Sequence, residues 1–174
     1  MQHRKITIAD ARVLAEYYGA NKAHLCTWEP ERPAGFYTEV FWDERLRLWI
    51  AQDKAGGAAH FLSMAEEGGP VIAVCSLSNI SRGPFQACNV GYSVSESAQG
   101  SGVMKALLAF VIDHAFNELG LNRVMANYMP SNARSAGLLS SLGVQEEGLA
   151  RRYPKINGVW EDHVLTSLLN PGSR

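Results

Sequence analysis

The chain has 174 residues, of which 47% are hydrophobic and 19% charged, as expected of a soluble globular protein with room for one substantial core. Its formal net charge of −1 at pH 7 gives no electrostatic basis for holding a nucleic-acid backbone, so we expect no direct nucleic-acid binding. No apolar run approaches the roughly 18 residues of a membrane span. The N-terminus also lacks the apolar segment of a signal peptide, and we therefore expect a cytoplasmic protein with no membrane partner.

The spacing of the cysteines and the clusters of charge give little evidence about function. Cys26, Cys75 and Cys88 are widely spaced and form no Cys-x-x-Cys pair, so neither a disulfide framework nor a metal site is expected. A free cysteine packs like a small hydrophobic side chain, and we expect all three to be buried. The one dense basic run, Arg151-Arg152 followed by Lys155, is typical of a solvated strand end, although it also suits an acidic partner.

The N-terminal half of the chain predicts one strand, two helices and then three strands. The first helix begins near Ala9, with Thr7 or Asp10 as its N-cap. Before the second helix comes a segment rich in aromatic residues, too many to be all exposed. A Ser-Arg-Gly-Pro turn joins the last two strands as a hairpin. The predicted strands are 4–8, 58–65, 71–80 and 85–94, and the second helix is 37–50.

The clearest element is the helix that begins after Gly102. Its apolar residues recur at the helical period from Val103 to Leu119, and Gly120 is suited to end it in the left-handed conformation. A strand, a helix and two strands joined by an Ile-Asn-Gly turn are predicted beyond it, at 122–129, 132–143, 144–153 and 159–169. This order predicts a single domain over residues 1–174, of the α/β (α+β) class, with a mixed, mostly antiparallel sheet flanked by helices.

A short turn, Gln99-Gly100-Ser101-Gly102, connects the strand ending near Val94 to this helix. Small residues at a helix N-terminus leave backbone N–H groups accessible, and the helix dipole favours an anion there, so the turn suits a phosphate or pyrophosphate. It lacks the Gly-Lys-Ser/Thr of a Walker loop and the third glycine of a dinucleotide fingerprint. Taken alone, the motif is equally compatible with a tight turn whose small residues serve only packing.

A second pair of residues favours the anion-binding interpretation. Asn132 and Ser135 are three apart and share one helix face, although Asn132 could be only an N-cap and Ser135 only a surface serine. Together with the turn, they resemble the Gcn5-related N-acetyltransferases, whose Gln/Arg-x-x-Gly-x-Gly/Ala turn holds the pyrophosphate of acetyl-coenzyme A. Met104 stands where that family usually has a small residue. The resemblance implies acetyl-coenzyme A as cosubstrate, bound by Tyr92, Val94, Gln99, Gly100, Ser101, Gly102, Val103, Met104 and Asn132.

Along nearly its whole length the chain resembles one branch of that superfamily, the ribosomal-protein-alanine N-acetyltransferases of the RimJ type. The segments that carry this resemblance are NKAHLCTWEPERPAGFYT (21–38), GPFQACNVGYSV (83–94), RVMANYMPSNARS (123–135) and WEDHVLT (160–166). The resemblance implies an enzyme that moves an acetyl group directly from acetyl-coenzyme A to the α-amine of a protein beginning with alanine or serine. A small-subunit ribosomal protein is the expected partner.

The resemblance also assigns catalytic roles. Ser135 matches the serine that protonates the departing thiolate in the related RimL-type enzymes. A backbone N–H near Tyr92 to Val94, where this fold usually has a bulge, would stabilise the oxyanion.

The general base is less clearly indicated. An α-amine has a pKa of about 7.7–8.0, so a modest base such as a carboxylate acting through water would serve. The candidates are Glu29, Glu161, Asp162 and His163. The position of the RimL-type glutamate falls at Pro154, which cannot act. We favour Glu29, in the aromatic segment that shapes the acceptor pocket, with a structural hydrogen bond to a nearby loop as the alternative. We expect His163 to be structural and Tyr128 to pack.

Two other functions stay open at this point. A small-molecule amine acetyltransferase, for example for a polyamine, would need a pocket rich in carboxylates, which the Glu-Glu pairs at 66–67 and 146–147 could supply. A non-catalytic module that binds coenzyme A, such as a ribosome-assembly factor, would bind acetyl-coenzyme A without releasing thiol.

Overall fold

A seven-stranded sheet forms the centre of the protein in a computed structural model that describes residues 1–173. Arg174, the last residue of the expected domain, lies outside the described residues. The strands are β1 (Gln2–Lys5), β2 (Ala59–Met64), β3 (Val71–Ser81), β4 (Ala87–Val94), β5 (Arg123–Met125), β6 (Gln145–Ala150), β7 (Lys155–Ile156), β8 (Val159–Trp160) and β9 (His163–Leu169). The helices are α1 (Ala11–Ala20), α2 (Lys22–Leu25), α3 (Glu39–Lys54), α4 (Val103–Asp113) and α5 (Ala133–Ser140).

The order across the sheet is β1-β2-β3-β4-β5-β9-β6, and β4 and β5 are its parallel pair among antiparallel neighbours. These two strands pair only from Ala87 and Arg123 to Asn89 and Met125. Beyond that point β4 continues to Val94 with no paired strand on this side within the described residues, so the sheet opens between β4 and β5. The mixed, mostly antiparallel sheet predicted from the sequence is confirmed.

Helices cover both faces of the sheet. On one face, α4 packs its apolar stripe, including Leu107 and Val111, onto β3 and β4. On the other, α1 and α3 pack against β2 and β3, with Leu14 and Trp42 fully buried. Burial of each such side chain is worth about 1.5–3 kcal/mol, so the two layers hold the open region of the sheet firmly from both sides.

Several helices and strands begin or end at residues other than those predicted, because local hydrogen bonds set their bounds. The first strand ends at Lys5 rather than near residue 8, because the Asp10 carboxylate accepts a hydrogen bond of 2.7 Å from the Thr7 backbone N–H and starts a 3-10 turn. The helix α3 begins at Glu39 rather than 37, because the Thr38 hydroxyl accepts the N–H of Phe41 as an N-cap. The α4 helix ends at Asp113 and a π-helical turn, residues 114–118, continues it to the left-handed Gly120.

The C-terminal strands differ most from the prediction. The strand predicted at 159–169 is broken at Glu161 and Asp162, so that β8 pairs with β7 while β9 joins the main sheet. The break coincides with a hydrogen bond of 2.9 Å from the Arg152 N–H to the Asp162 carboxylate. The Ile-Asn-Gly turn is confirmed, but it closes the small β7–β8 hairpin rather than joining two long strands.

Two further expectations concern the burial of the cysteines and the presence of membrane-spanning helices. Cys75 and Cys88 are buried as predicted, whereas Cys26 is exposed, because the single turn of α2 that precedes it lies on the surface. None of the helices within residues 1–173 combines the length and apolar character needed to cross a membrane.

Candidate active site

A cavity of about 970 Å³ passes through the opening between β4 and β5. Side chains from both faces of the sheet line it: Leu25 and Val74 belong to the α1–α3 side, and Tyr92 and Met104 belong to the α4 side. The cavity therefore connects two chambers, one on each face of the sheet. Such an arrangement lets two substrates approach from opposite faces and meet in the opening.

The turn at one end of the cavity has the geometry of an anion site. Gly100 and Gly102 have φ values of 73° and 82°, and Gly102 is the N-cap of α4. A Cβ at either glycine would meet nothing within 4 Å, so the backbone angle rather than crowding favours glycine there. Within residues 1–173, the N–H groups of Val103 and Met104 donate to no protein acceptor. These free N–H groups and the helix dipole suit a pyrophosphate.

Backbone groups of β4 face the opening. The Ser95 N–H donates to the Ile72 carbonyl of β3, and peptide groups in an antiparallel ladder point alternately to either side. Ser93 therefore also faces β3, while Tyr92 and Val94 turn their N–H and C=O groups toward the open side. This arrangement fits the expectation that both residues bind acetyl-coenzyme A through their backbone groups. The expected bulge is absent: within the described residues, β3 and β4 pair regularly from Asn89 to Val94, and the irregularity lies nearer their hairpin.

The hydroxyl groups of Tyr92 and Ser135 lie 2.5 Å apart and share a hydrogen bond. Burial is the main cause that raises the pKa of Tyr92 to about 12, so this phenol stays protonated at neutral pH. Ser135 is buried, and Asn132 fixes the start of its helix by accepting a hydrogen bond of 3.0 Å from the Ser135 N–H. Asn132 is thus the N-cap of α5, as one interpretation of the sequence expected, and it also lines the cavity.

Side-chain contacts tie the turn to two neighbouring helices. The Gln99 amide nitrogen lies 2.9 Å from Nε2 of His24 on α2, and its oxygen accepts a hydrogen bond from Arg134 on α5. A second link joins the same region to α1, because the buried Asn21 amide oxygen accepts the Glu96 N–H at 2.9 Å. The turn is therefore positioned from both sides.

The sequence matches a known protein family over most of its length. The family model described as "Acetyltransferase (GNAT) domain" matches residues 3–145. The chain belongs to the GNAT acetyltransferase family. As in other members of this family, its cosubstrate is acetyl-coenzyme A.

Individual relatives extend this family assignment. The chain is 40% identical over 162 residues to the [ribosomal protein uS5]-alanine N-acetyltransferase of Escherichia coli K12, covering 93% of this chain and 84% of that protein. A crystal structure of the ribosomal-protein-S5-alanine acetyltransferase from Vibrio fischeri superposes with a TM-score of 0.96 at 40% identity, over 99% and 94% of the two chains. Mycobacterium smegmatis RimJ in complex with CoA-disulfide superposes with a TM-score of 0.89 at 27% identity, over 96% and 80%.

Glu29 lies at the wall of the cavity of this GNAT enzyme, on the α1–α3 side. Its carboxylate accepts two hydrogen bonds from Arg32, at 2.5 and 3.2 Å, and the Arg32 guanidinium also lies 4.4 Å from the Phe36 ring centre. The backbone carbonyl of Glu29 accepts the N–H of Asn157, a hydrogen bond that does not involve the carboxylate. The side chain, however, is paired with a cation rather than with a loop backbone.

The other candidate bases are placed differently. Glu161 and Asp162 do not line the cavity, and the Asp162 carboxylate is occupied by the Arg152 N–H. His163 is buried at the cavity wall, with Nδ1 3.4 Å from the Glu161 carbonyl. Tyr128 is also buried there, and its hydroxyl donates to the Glu146 carboxylate at 2.7 Å, which raises its pKa.

Sequence reasoning missed three side chains that contribute to the site. They are the phenol of Tyr92, which was assigned only a backbone role, and the side chains of His24 and Arg134 that hold Gln99. His24 and Arg134 both lie in segments that carried the family resemblance, so their position in those segments was the available signal. Their partners could not be inferred from spacing.

Proposed function

We propose that this enzyme transfers the acetyl group of acetyl-coenzyme A to the α-amine of a ribosomal protein that begins with alanine or serine. The observation that carries the proposal is the two-chambered cavity, with the glycine turn before α4 on one face and a chamber lined by Tyr18 and Trp49 on the other. The chain is 40% identical to the Escherichia coli uS5-alanine enzyme across 93% of its length, and this similarity supports the choice of acceptor. We further propose a small-subunit protein as the acceptor, which would place the reaction in the cytoplasm.

The transfer needs no acyl-enzyme. The neutral amine nitrogen attacks the thioester carbonyl, the C–S bond breaks, the amine loses a proton and the thiolate gains one. We propose that the backbone N–H of Tyr92 or Val94 stabilises the oxyanion, and that Ser135, hydrogen-bonded to the Tyr92 phenol, supplies the thiolate proton. Glu29 is our candidate for the base that accepts the amine proton, directly or through water.

The charge of the acceptor chamber favours a peptide over a polyamine. Within the described residues, Glu29 is the one carboxylate among those lining the cavity, and Arg32 already neutralises it. The Glu-Glu pair at 66–67 lies outside the cavity lining, while Glu146 bonds Tyr128 and Glu147 bonds Arg123. A polyamine carries several positive charges, and this chamber offers them little compensation.

The decisive experiment measures thiol release from acetyl-coenzyme A and the mass of the product with two matched peptides. One begins with a free alanine and contains no lysine; the other is N-terminally blocked and carries an internal lysine. Acetylation of the first peptide alone is expected. Reaction with spermidine but with neither peptide would replace the proposal by a polyamine function, and tight binding of acetyl-coenzyme A without thiol release from any amine would favour a non-catalytic module.

A further inference from the structure

One exposed surface on the described chain has no role in the reaction as derived so far. It comprises Leu149, Arg151, Arg152, Tyr153, Lys155, Val159 and Trp160, and we call it the hairpin surface because it surrounds the β7–β8 hairpin. We propose that the hairpin surface binds an acidic stretch of the acceptor protein, downstream of the amine that is acetylated. The inference rests on the proposed function and specifies which acceptor chains the enzyme prefers.

This surface is locally basic, although the neighbouring Asp162 carboxylate accepts a hydrogen bond from the Arg152 backbone N–H. Between Gly148 and Trp160 the chain carries three cations and no carboxylate. Arg151, Arg152 and Lys155 are all exposed, and among residues 1–173 none of their side chains forms an ion pair. Three neighbouring free cations attract an acidic polypeptide, although the whole chain is slightly negative.

Apolar side chains are exposed beside these cations. Trp160 is 56% exposed, Val159 58% and Leu149 57%. An exposed apolar patch of this kind is a candidate protein-binding site. The Lys155 ammonium lies 5.9 Å from the centre of the Trp160 ring. Exposed aromatic and basic side chains together are typical of protein-binding surfaces, where Trp, Tyr and Arg are enriched.

The surface is held in a fixed position. Ile156 is buried and anchors the hairpin, and the Tyr153 N–H donates to the Glu161 carbonyl at 2.9 Å. The Glu161 N–H in turn donates to the Pro154 carbonyl at 3.0 Å. A rigid surface loses little conformational entropy when a partner binds, so its modest contacts can contribute to affinity.

The hairpin surface lies next to the acceptor side of the cavity. The N–H of Asn157, at the tip of the hairpin, donates to the Glu29 carbonyl at 3.1 Å. A second depression of about 410 Å³ adjoins the main cavity at Glu29, Pro30 and Arg32, and Asn157 at the tip of the hairpin also lines it. A peptide leaving the cavity past Glu29 would therefore meet the hairpin. The contact would therefore involve acceptor residues downstream of the amine that is acetylated.

The test compares two peptides that share the same first three residues, beginning with alanine, and contain no lysine. In one, the next four residues include three aspartates; in the other, asparagines replace them. We expect the KM of the acidic peptide to be about tenfold lower at low salt, with equal kcat, because each exposed ion pair adds only a modest gain. The difference should shrink as salt is raised, because exposed charges are screened.

Variants of the enzyme then test whether the preference for the acidic peptide arises at the hairpin surface. The triple variant R151Q/R152Q/K155Q should remove the preference for the acidic peptide and leave kcat with the asparagine peptide unchanged, which also shows that the variant folds. The control R12Q/R47Q/K54Q removes the same charge from exposed residues outside the cavity lining and should keep the preference.

Three outcomes would overturn the inference. The first is equal KM values for the two peptides in the wild-type enzyme, and the second is loss of the preference for the acidic peptide in the control variant. The third is inhibition by an oligonucleotide that is abolished in the triple variant, with no effect of peptide charge on KM. The last would assign the surface to nucleic acid instead. Turnover of neither peptide is a different result, because it refutes the proposed function itself.

Discussion

The hydroxyl of Ser135 on α5 lies 2.5 Å from the hydroxyl of Tyr92 on β4, although the two residues are 43 positions apart. The contact joins strand β4 to helix α5, and both residues line the cavity. A serine is a very weak acid, whereas the Tyr92 phenol has a pKa of about 12. We therefore expect the pair, rather than either hydroxyl alone, to deliver the thiolate proton.

Removing each hydroxyl in turn distinguishes proton donation to the thiolate from binding of acetyl-coenzyme A. Ser135→Ala should lower kcat by about a hundredfold, the lower end of general-acid effects, with less than about a twofold change in the KM for acetyl-coenzyme A. Tyr92→Phe should lower kcat less, because Ser135 remains in place. Steady-state kinetics with varied acetyl-coenzyme A measures both. A matching loss in affinity and turnover for Ser135→Ala would show that the serine holds the cosubstrate instead of protonating it.

The contact between Tyr92 and Ser135 also shows where sequence reasoning stops. Helix α4, Gly102 and the mixed sheet could be predicted, because apolar periodicity and turn residues are local signals. The opening between β4 and β5, and pairs such as His24 with Gln99 that are 75 positions apart, depend on how strands and helices pack. The break of the last strand at Glu161 was also missed, since the hydrogen bond at Asp162 comes from the backbone of Arg152, outside the predicted strand.

The contact between His24 and Gln99 predicts that α2 supports the cosubstrate turn. In this geometry the Gln99 amide donates to His24 and accepts from Arg134. His24→Ala should raise the KM for acetyl-coenzyme A about fivefold, the effect of one lost hydrogen bond, with little change in kcat. His24→Gln should restore the KM, because its amide oxygen can accept from Gln99. Lys22→Ala, an exposed change on the same helix, serves as the control, and an equal rise there would contradict the assignment.

The role of Glu29 can be tested through pH. If Glu29 accepts the amine proton, Glu29→Gln should lower kcat/KM about a hundredfold near pH 7, where most of an α-amine with a pKa near 8 is protonated. The deficit should shrink above pH 8.5, because the amine is then neutral without help. A purely structural role in the Glu29–Arg32 pair predicts a loss that does not vary with pH. Pre-steady-state acetylation of the alanine peptide across pH 6.5–9.5 distinguishes the two.

Gly102 tests the importance of the left-handed turn. Its φ of 82° would be strained for any residue with a Cβ, although no atom lies within 4 Å of the Cβ position. Gly102→Ala should therefore lower the free energy of unfolding by about 1–2 kcal/mol and weaken acetyl-coenzyme A binding, whereas Gly102→Asn should be milder. The control is Gly19→Ala in α1, which has open space and no positive φ, and should stabilise by about 0.5–1 kcal/mol. Denaturant unfolding and calorimetric titration measure these effects.

The ion pair between Arg4 and Asp10 predicts how stability depends on pH. Burial alone would raise the pKa of Asp10, but hydrogen bonds from Arg4 and Thr7 outweigh it and lower the pKa below its usual value. A carboxyl group with a lowered pKa in the folded state stabilises the fold above its unfolded pKa, near 4, and loses this contribution as pH falls further. Asp10→Asn should therefore cost about 2 kcal/mol of unfolding free energy at pH 7 and progressively less below pH 4.

The matched control for this prediction is Asp53→Asn, which removes the more exposed pair with Lys5. Because both partners of that pair are solvated, its loss should cost less than about 1 kcal/mol. Urea unfolding at several pH values between 3 and 7 gives the comparison. A deficit of Asp10→Asn that stays constant from pH 7 to pH 3 would mean that the carboxylate charge contributes nothing, and that Asp10 acts only as the hydrogen-bond acceptor that starts the first helix.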